Sequence, residues 1–181
     1  MRLFVALRPP PAVRELLLDI TDGVGTARWQ DDEQLHVTLR FLGDIERPQA
    51  EDIAAALAAV HAPAPHVRLA GVGRFDGTLW AGLAPHDALA ALHRKVDHAC
   101  VRAGLPPERR AYLPHITVAR FSRSAGQDPE VARWLAAHAG LSSPLFTLTH
   151  LVLYESLLGR GGARYEALAR WPLGTAEAIM G

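Results

Sequence analysis

Two histidines each stand two residues ahead of a threonine, in His36-Val37-Thr38-Leu39 and in His115-Ile116-Thr117-Val118. Histidine is the side chain best placed to give or take a proton near neutral pH. Two of them facing one atom can divide the work, with one neutral imidazole as base and one imidazolium as acid. Thr38 and Thr117 add a hydroxyl donor beside each ring. Such a set suits an anionic centre, held by charge-assisted hydrogen bonds from an imidazolium and neutral ones from hydroxyls. A phosphodiester is the natural guest. Acid, base and oxyanion donors are then all protein groups, so no metal or cofactor is required.

The elements that carry these residues read as strands, because both motifs sit in short apolar, β-branched runs. A strand sends alternate side chains to opposite faces. His36 and Thr38 therefore share one face and Val37 and Leu39 the other, and His115 and Thr117 stand likewise against Ile116 and Val118. One such pair is weak evidence, since His and Thr occur in sheets for packing reasons. Two copies offset by 79 residues point to two halves facing one site. A zinc site is the rival, but each motif offers one histidine only, and Asp31, Asp32, Glu33 and Asp44 fall in flanking loops. The other seven histidines (61, 66, 86, 93, 98, 138 and 150) have no matching partner and read as surface or satisfied core residues.

Around the motifs the chain alternates strands and helices. Leu3 to Leu7 reads as a buried strand, and a helix opening at Pro10 or Pro11 carries Val13, Leu16, Leu17 and Ile20. Residues 28–32 read as a loop and Leu35 to Leu42 as the first motif strand. A helix from Arg47-Pro48 carries Ile53, Leu57 and Val60. Val67 to Val72 is a strand, Asp76-Gly77 a hairpin turn, and Leu79 to Leu83 the returning strand. Asp87 to Arg102 is a helix capped by Gly104. Tyr112 to Phe121 holds the second motif, and Pro129 to Ala139 is a helix. Leu145 to Tyr154 and Tyr165 to Trp171 are final strands about a Gly-rich turn. A hairpin and motif strands recurring at a half-chain interval favour an α+β fold of two related lobes over a doubly wound parallel sheet.

The 181 residues suffice for one domain with a sizeable core. Zero net charge, from 19 Lys+Arg against 19 Asp+Glu, argues against broad coating of nucleic acid but not against a small phosphate site. Only Lys95 among those cations is a lysine, and arginine's planar fork suits phosphate. The single cysteine, Cys100, excludes an internal disulfide and favours a reducing compartment. No apolar run is long enough to span a membrane. A cytoplasmic protein, and a monomer, is the expectation.

Five blocks, in order, resemble the 2H phosphoesterase superfamily, and within it the RNA 2′,3′-cyclic phosphodiesterases long called 2′-5′ RNA ligases or LigT-like proteins. They are Arg2-Leu3-Phe4-Val5-Ala6, Leu35 to Gly43, Leu79 to Leu83, Leu113 to Arg120, and Leu153-Tyr154-Glu155-Ser156 with the Gly-rich turn before Tyr165. The resemblance implies a single bilobal α+β domain over residues 1–181, two pseudo-symmetric lobes of mostly antiparallel sheet with helices outside and a central cleft. It implies metal-independent hydrolysis of 2′,3′-cyclic phosphate on RNA ends or small nucleotides, giving a 2′-phosphate. His115 would be the base that activates water and His36 the acid that protonates the departing 3′-oxygen. Thr38 and Thr117 would hold the non-bridging oxygens, and Arg120 would add charge. Joining RNA through a 2′-5′ linkage, the reverse reaction, uses the same groups. A non-catalytic module that binds a nucleotide or RNA end is the remaining alternative.

Arg120 lies five residues after His115, so strict alternation sends it to the opposite face. Either the strand bulges near Ala119 and Arg120 reaches the phosphate, or Arg120 is a structural ion-pair residue. By the same parity Arg40 shares the His36 face and could touch substrate, while Phe41 packs in the core. Trp29, Phe121 and Tyr154 are candidates for stacking on a base.

Overall fold

The computed structural model describes residues 1–174 of the chain. In chain order the strands are β1 (Arg2–Leu7), β2 (Arg28–Trp29), β3 (Val37–Asp44), β4 (His66–Phe75), β5 (Thr78–Ala84), β6 (His115–Arg120), β7 (Phe146–Thr147), β8 (His150–Gly159) and β9 (Gly162–Pro172). The helices are α1 (Pro11–Leu18), α2 (Arg47–Ala58), α3 (Asp87–Arg102) and α4 (Pro129–Ala137). All strand pairings are antiparallel, in the order β7-β4-β5-β6-β3-β1-β8-β9, with β2 beside β6. The fold is α+β. The two motif strands β3 and β6 are neighbours at the middle of this sheet, where its two four-stranded halves meet.

Each helix forms where its sequence supplies a start and an apolar stripe. Proline in the first turn opens α1, α2 and α4, where its missing N–H costs nothing. The Asp128 carboxylate caps α4 by accepting from Glu130 N. Helix α3 buries Leu89, Leu92, Val96, Ala99 and Cys100, residues at helical spacing, and spans the expected Asp87–Arg102. Gly104 follows with φ +100°, a conformation side-chain-bearing residues rarely adopt. The helices cover one face of the sheet. That face supplies Leu3, Val5 and Leu7 of β1, Val37 and Leu39 of β3, and Ile116 and Val118 of β6 to a single core. The opposite face is left to form a cleft.

Three expectations shift. Residues 28–32 are not simply a loop. Arg28-Trp29 pairs with Arg120-Ala119, and Asp32–Gln34 forms a 3-10 turn closed by a reciprocal Asp31/Gln34 capping box. That turn holds Leu35 and His36 outside the regular ladder, so β3 starts at Val37. Leu145 to Tyr154 is not one strand: Phe146-Thr147 pairs with β4 in one half, and the chain then crosses to pair β8 with β1 in the other. The second motif strand is shorter than expected, beginning at His115, directly after Pro114, which has no N–H to give a ladder.

Candidate active site

Val37 pairs with Ile116 across the β3–β6 boundary. Carrying this antiparallel register one residue each way sets His36 across from Thr117 and Thr38 across from His115. The two histidines therefore stand diagonally, where side chains of neighbouring strands lie about 7–8 Å apart at Cα. Val37, Leu39, Ile116 and Val118 are buried beneath them, while His36, Thr38, His115 and Thr117 are half-buried on the cleft side. The alternation read from the sequence holds for both motifs.

Both imidazoles are oriented the same way. Nδ1 of His36 donates to the Gln34 carbonyl at 2.8 Å, and Nδ1 of His115 donates to the Leu113 carbonyl at 2.7 Å. A carbonyl can only accept, so these bonds fix the proton on Nδ1 and leave Nε2 of each neutral ring with its lone pair. The Gln34 backbone is held in turn. Gln34 Nε2 reaches the Ala163 carbonyl at 2.8 Å, and Arg8 Nη1 donates to the carbonyls of Asp32 and Leu35 at 2.6 and 2.7 Å. Asp32 also accepts from Arg14 Nε at 2.8 Å, and this bond, opposed by partial burial, holds its carboxyl below the usual range.

Burial pushes the His36 pKa down to about 4, against the raising effect of the Gln34 bond; Arg120, Arg8 and His115 add smaller lowering contributions. His115 is also lowered, by burial first and then by Arg120, against the Leu113 bond. Burial in the cleft thus favours the neutral form of both rings. An anion between them would reverse the balance, because negative charge favours both imidazolium forms.

Arg120 reaches this face because β6 bulges. Leu79 pairs with Ala119 but Trp80 pairs with Thr117, so Val118 is the extra residue. The parity of the strand flips there, and Val118 and Ala119 are both buried. Arg120 is exposed and lines a cavity of about 440 Å³ together with His36, Phe4 and Tyr165.

The same device reverses the expectation for β3. Val5 pairs with Arg40 but Ala6 with Thr38, so Leu39 is an extra residue. Arg40 consequently turns toward α3: it is 5% exposed, and its Nε donates to Asp97 Oδ1 at 2.7 Å while Nη2 bonds the Pro106 carbonyl. It is a structural ion-pair residue, not a free cleft cation. Phe41 pairs with Phe4 on the cleft side and is 64% exposed rather than in the core.

The aromatic surroundings differ from those expected. Phe4 lies 4.9 Å from the His36 ring centroid and Tyr165 meets it edge-on at 5.2 Å. Tyr154 stacks on Phe4 at 5.2 Å and so belongs to this floor. Phe75 meets His115 edge-on at 5.1 Å, with Trp80 at 6.0 Å. Trp29 instead packs on Trp134, and Phe121 packs against the core under the Arg74 guanidinium. A second cavity, about 620 Å³, opens beside His115 and is lined by Thr38, Phe41, Phe75, Arg110 and Tyr112.

Beside this cavity, His93 of α3 and Tyr112 of the loop before β6 hold the first motif strand. Tyr112 Oη donates to the Thr38 carbonyl at 3.0 Å, and its ring stacks on His93 at 4.3 Å. His93 Nδ1 donates to the Leu39 carbonyl at 2.8 Å, so both carbonyls at the β3 bulge are held. Neither role is signalled by spacing. Among the described residues no three His, Cys, Asp or Glu side chains gather as a metal site would need.

A family model described as the 2′-5′ RNA ligase superfamily matches residues 9–160. The chain belongs to this superfamily. A protein of Geobacillus stearothermophilus named RNA 2′,3′-cyclic phosphodiesterase is 34% identical over 163 residues, covering 86% of this chain and 50% of that protein. The chain thus spans about half the length of that relative. The protein of the same name from Escherichia coli K12 is 26% identical over 181 residues, covering 95% of this chain and 96% of its own. Among solved structures, E. coli LigT in apo form superposes with a TM-score of 0.79 at 26% identity, covering 95% of this chain and 96% of that one. LigT complexed with 3′-AMP gives 0.76 at 25% identity, covering 96% and 98%. The 2H phosphoesterase (LigT-like) fold expected from the motif blocks is therefore the fold of this chain. Among the described residues no helix is long and apolar enough to cross a membrane.

Proposed function

We propose that this protein hydrolyses the 2′,3′-cyclic phosphate on RNA ends, or on small nucleotides, to a 2′-phosphate without a metal. One observation carries the reading: the pairing of Val37 with Ile116, which brings a histidine and a threonine from each half of the sheet side by side. Membership of the superfamily, and the relatives' shared name, support the same reaction.

In this reading His115 Nε2 takes a proton from water as its oxygen forms a bond to phosphorus. The bond from phosphorus to the 3′-oxygen breaks, and His36 Nε2–H gives its proton to that oxygen. Thr38 and Thr117 hydroxyls donate to the non-bridging oxygens, and Arg120 supplies the fixed positive charge. Burial favours neutral His36 in the free protein, so in this reading it takes up its proton as the substrate's negative charge enters.

The test is an oligonucleotide ending in a 2′,3′-cyclic phosphate, incubated in excess EDTA, with the product separated as 2′- or 3′-phosphate. Conversion to 2′-phosphate by the wild type, and its loss in both His36→Ala and His115→Ala, is expected. Full activity in either variant, or dependence on added metal, overturns the reading. Offering a 5′-hydroxyl RNA in the same assay reports 2′-5′ joining, in which that hydroxyl takes the place of water: His115 takes its proton as its oxygen bonds to phosphorus, the bond from phosphorus to the 3′-oxygen breaks, and His36 protonates the 3′-oxygen.

A further inference from the structure

The cleft has two different ends, and the chemistry of ribose decides which part of a substrate meets which. This rests on the reading above, in which His36 protonates the 3′-oxygen. That oxygen is bonded to C3′, and C3′ leads through C4′ and C5′ to the 5′-oxygen. The 2′-oxygen leads through C2′ to C1′ and the base. A ribose whose 3′-oxygen points at His36 therefore extends its 5′ side along the His36 end and its base toward the His115 end.

The His36 end holds the groups a second phosphate needs. Arg2 lines the 440 Å³ cavity with His36, Phe4, Arg120, Ser156 and Tyr165. Arg2 lies across β1–β3 from Asp44, and the β1–β8 ladder, carried one residue on from Leu3↔Glu155, sets it across from Ser156. Among the described residues Arg2 and Arg120 form no ion pair, Asp44 included, and Ser156 Oγ makes no hydrogen bond. An arginine and a hydroxyl facing one cavity suit a phosphate through charge-assisted bonds. Arg120 lies nearer the histidines, whose pKa values it lowers.

We infer that Arg2 and Ser156 form a second phosphate subsite, one nucleotide step from the reacting phosphorus, for the 5′-phosphate of the terminal nucleotide. That phosphate is either a 5′-monoester or the diester to the nucleotide upstream. The subsite makes the preferred substrate an RNA end or a 5′-phosphorylated nucleotide rather than a bare cyclic nucleoside phosphate.

Binding tests this independently of turnover. Calorimetry compares adenosine 2′-phosphate with adenosine 2′,5′-bisphosphate and with the dinucleotide ApA 2′-phosphate. Tighter binding of one or both phosphate-extended ligands by about fivefold is expected, the size of one exposed charge-assisted contact. A gain with the bisphosphate alone assigns the subsite to a monoester, and a gain with the dinucleotide assigns it to a strand. Arg2→Ala should bring the ratios to about one, Arg2→Lys should retain part of them, and Ser156→Ala should reduce them. Equal wild-type affinity for all three ligands, or ratios unchanged in Arg2→Ala with retained circular dichroism, overturns the subsite. Failure of the reaction itself shows separately, as absence of hydrolysis of the oligonucleotide ending in a 2′,3′-cyclic phosphate.

Discussion

Arg40 separates two accounts of the first motif strand. If β3 alternated strictly, Arg40 would touch substrate, and its loss would raise KM and leave the fold alone. The bulge at Leu39 instead commits it to Asp97 and the Pro106 carbonyl, with side-chain exposures of 5% and 15% for the pair. Arg40→Met keeps most of the aliphatic volume and leaves Asp97 with the Glu108 N–H at 3.0 Å as its remaining hydrogen-bond donor among the described residues. Removing one member of a buried pair costs about 3–5 kcal/mol, and the partial exposure of Asp97 puts this case near the lower end. At about 2–4 °C per kcal/mol for a chain of this size, about 3 kcal/mol lowers Tm by about 6–12 °C. The loss depends on pH. Burial would raise the Asp97 pKa, but the Glu108 N–H and Arg40 more than offset it, so the folded value lies below 3.8. A depressed carboxylate stabilises the fold above its unfolded pKa, and that stability goes as pH falls through the folded value. The deficit of Arg40→Met should therefore be largest at neutral pH and shrink below about pH 4. Thermal melts of wild type, Arg40→Met, Asp97→Asn and the double variant, at pH 7 and 3.5, measure it. A neutral-pH loss under about 1 kcal/mol, or single losses that simply add in the double variant, would refute the reasoning.

Other consequences follow from the same geometry. Because kcat/KM reports the free protein's groups, and both imidazoles titrate below 6.5 there, its pH optimum should lie below 6.5. The kcat optimum should lie higher, since bound phosphate raises both rings; a kcat/KM optimum above pH 7 would contradict this. Phe41→Ala, at a side chain 64% exposed, should change stability by no more than about 0.5 kcal/mol yet raise KM for a nucleotide at least about fivefold, as loss of a stacking face does. Unchanged KM would remove Phe41 from the site. Tyr112→Phe should cost about 1 kcal/mol for the lost bond to the Thr38 carbonyl and lower kcat more than it raises KM, measured by denaturant titration and steady-state kinetics.

The paired motifs were legible because their chemistry and their burial use the same alternation: His and Thr on one parity, Val, Leu and Ile on the other. Helix α3 was legible to its ends because Asp87 to Arg102 carries an uninterrupted apolar stripe. What alternation could not supply was the position of the bulges. Leu39 and Val118 are ordinary strand residues, and each becomes an extra residue only through the register its partner strand imposes. Parity therefore exchanged the faces of Arg40 and Phe41 and left Arg120 open between two readings. The floor around His36 was equally hidden, since Phe4 and Tyr165 come together only through the β1–β3, β1–β8 and β8–β9 pairings. Tyr154 came from the right block for a contact its own spacing does not show.

The central claim is that His36 and His115 hold one phosphate between them. Proton NMR of the two imidazole rings, assigned with His36→Ala and His115→Ala, follows both through a pH titration with and without a nucleoside 2′-phosphate. The account predicts that a single equivalent of ligand raises the pKa of both rings, from about 4 for His36 and from below 6.5 for His115. A ligand that moves only one of the two, or needs a second equivalent to move the other, would contradict it.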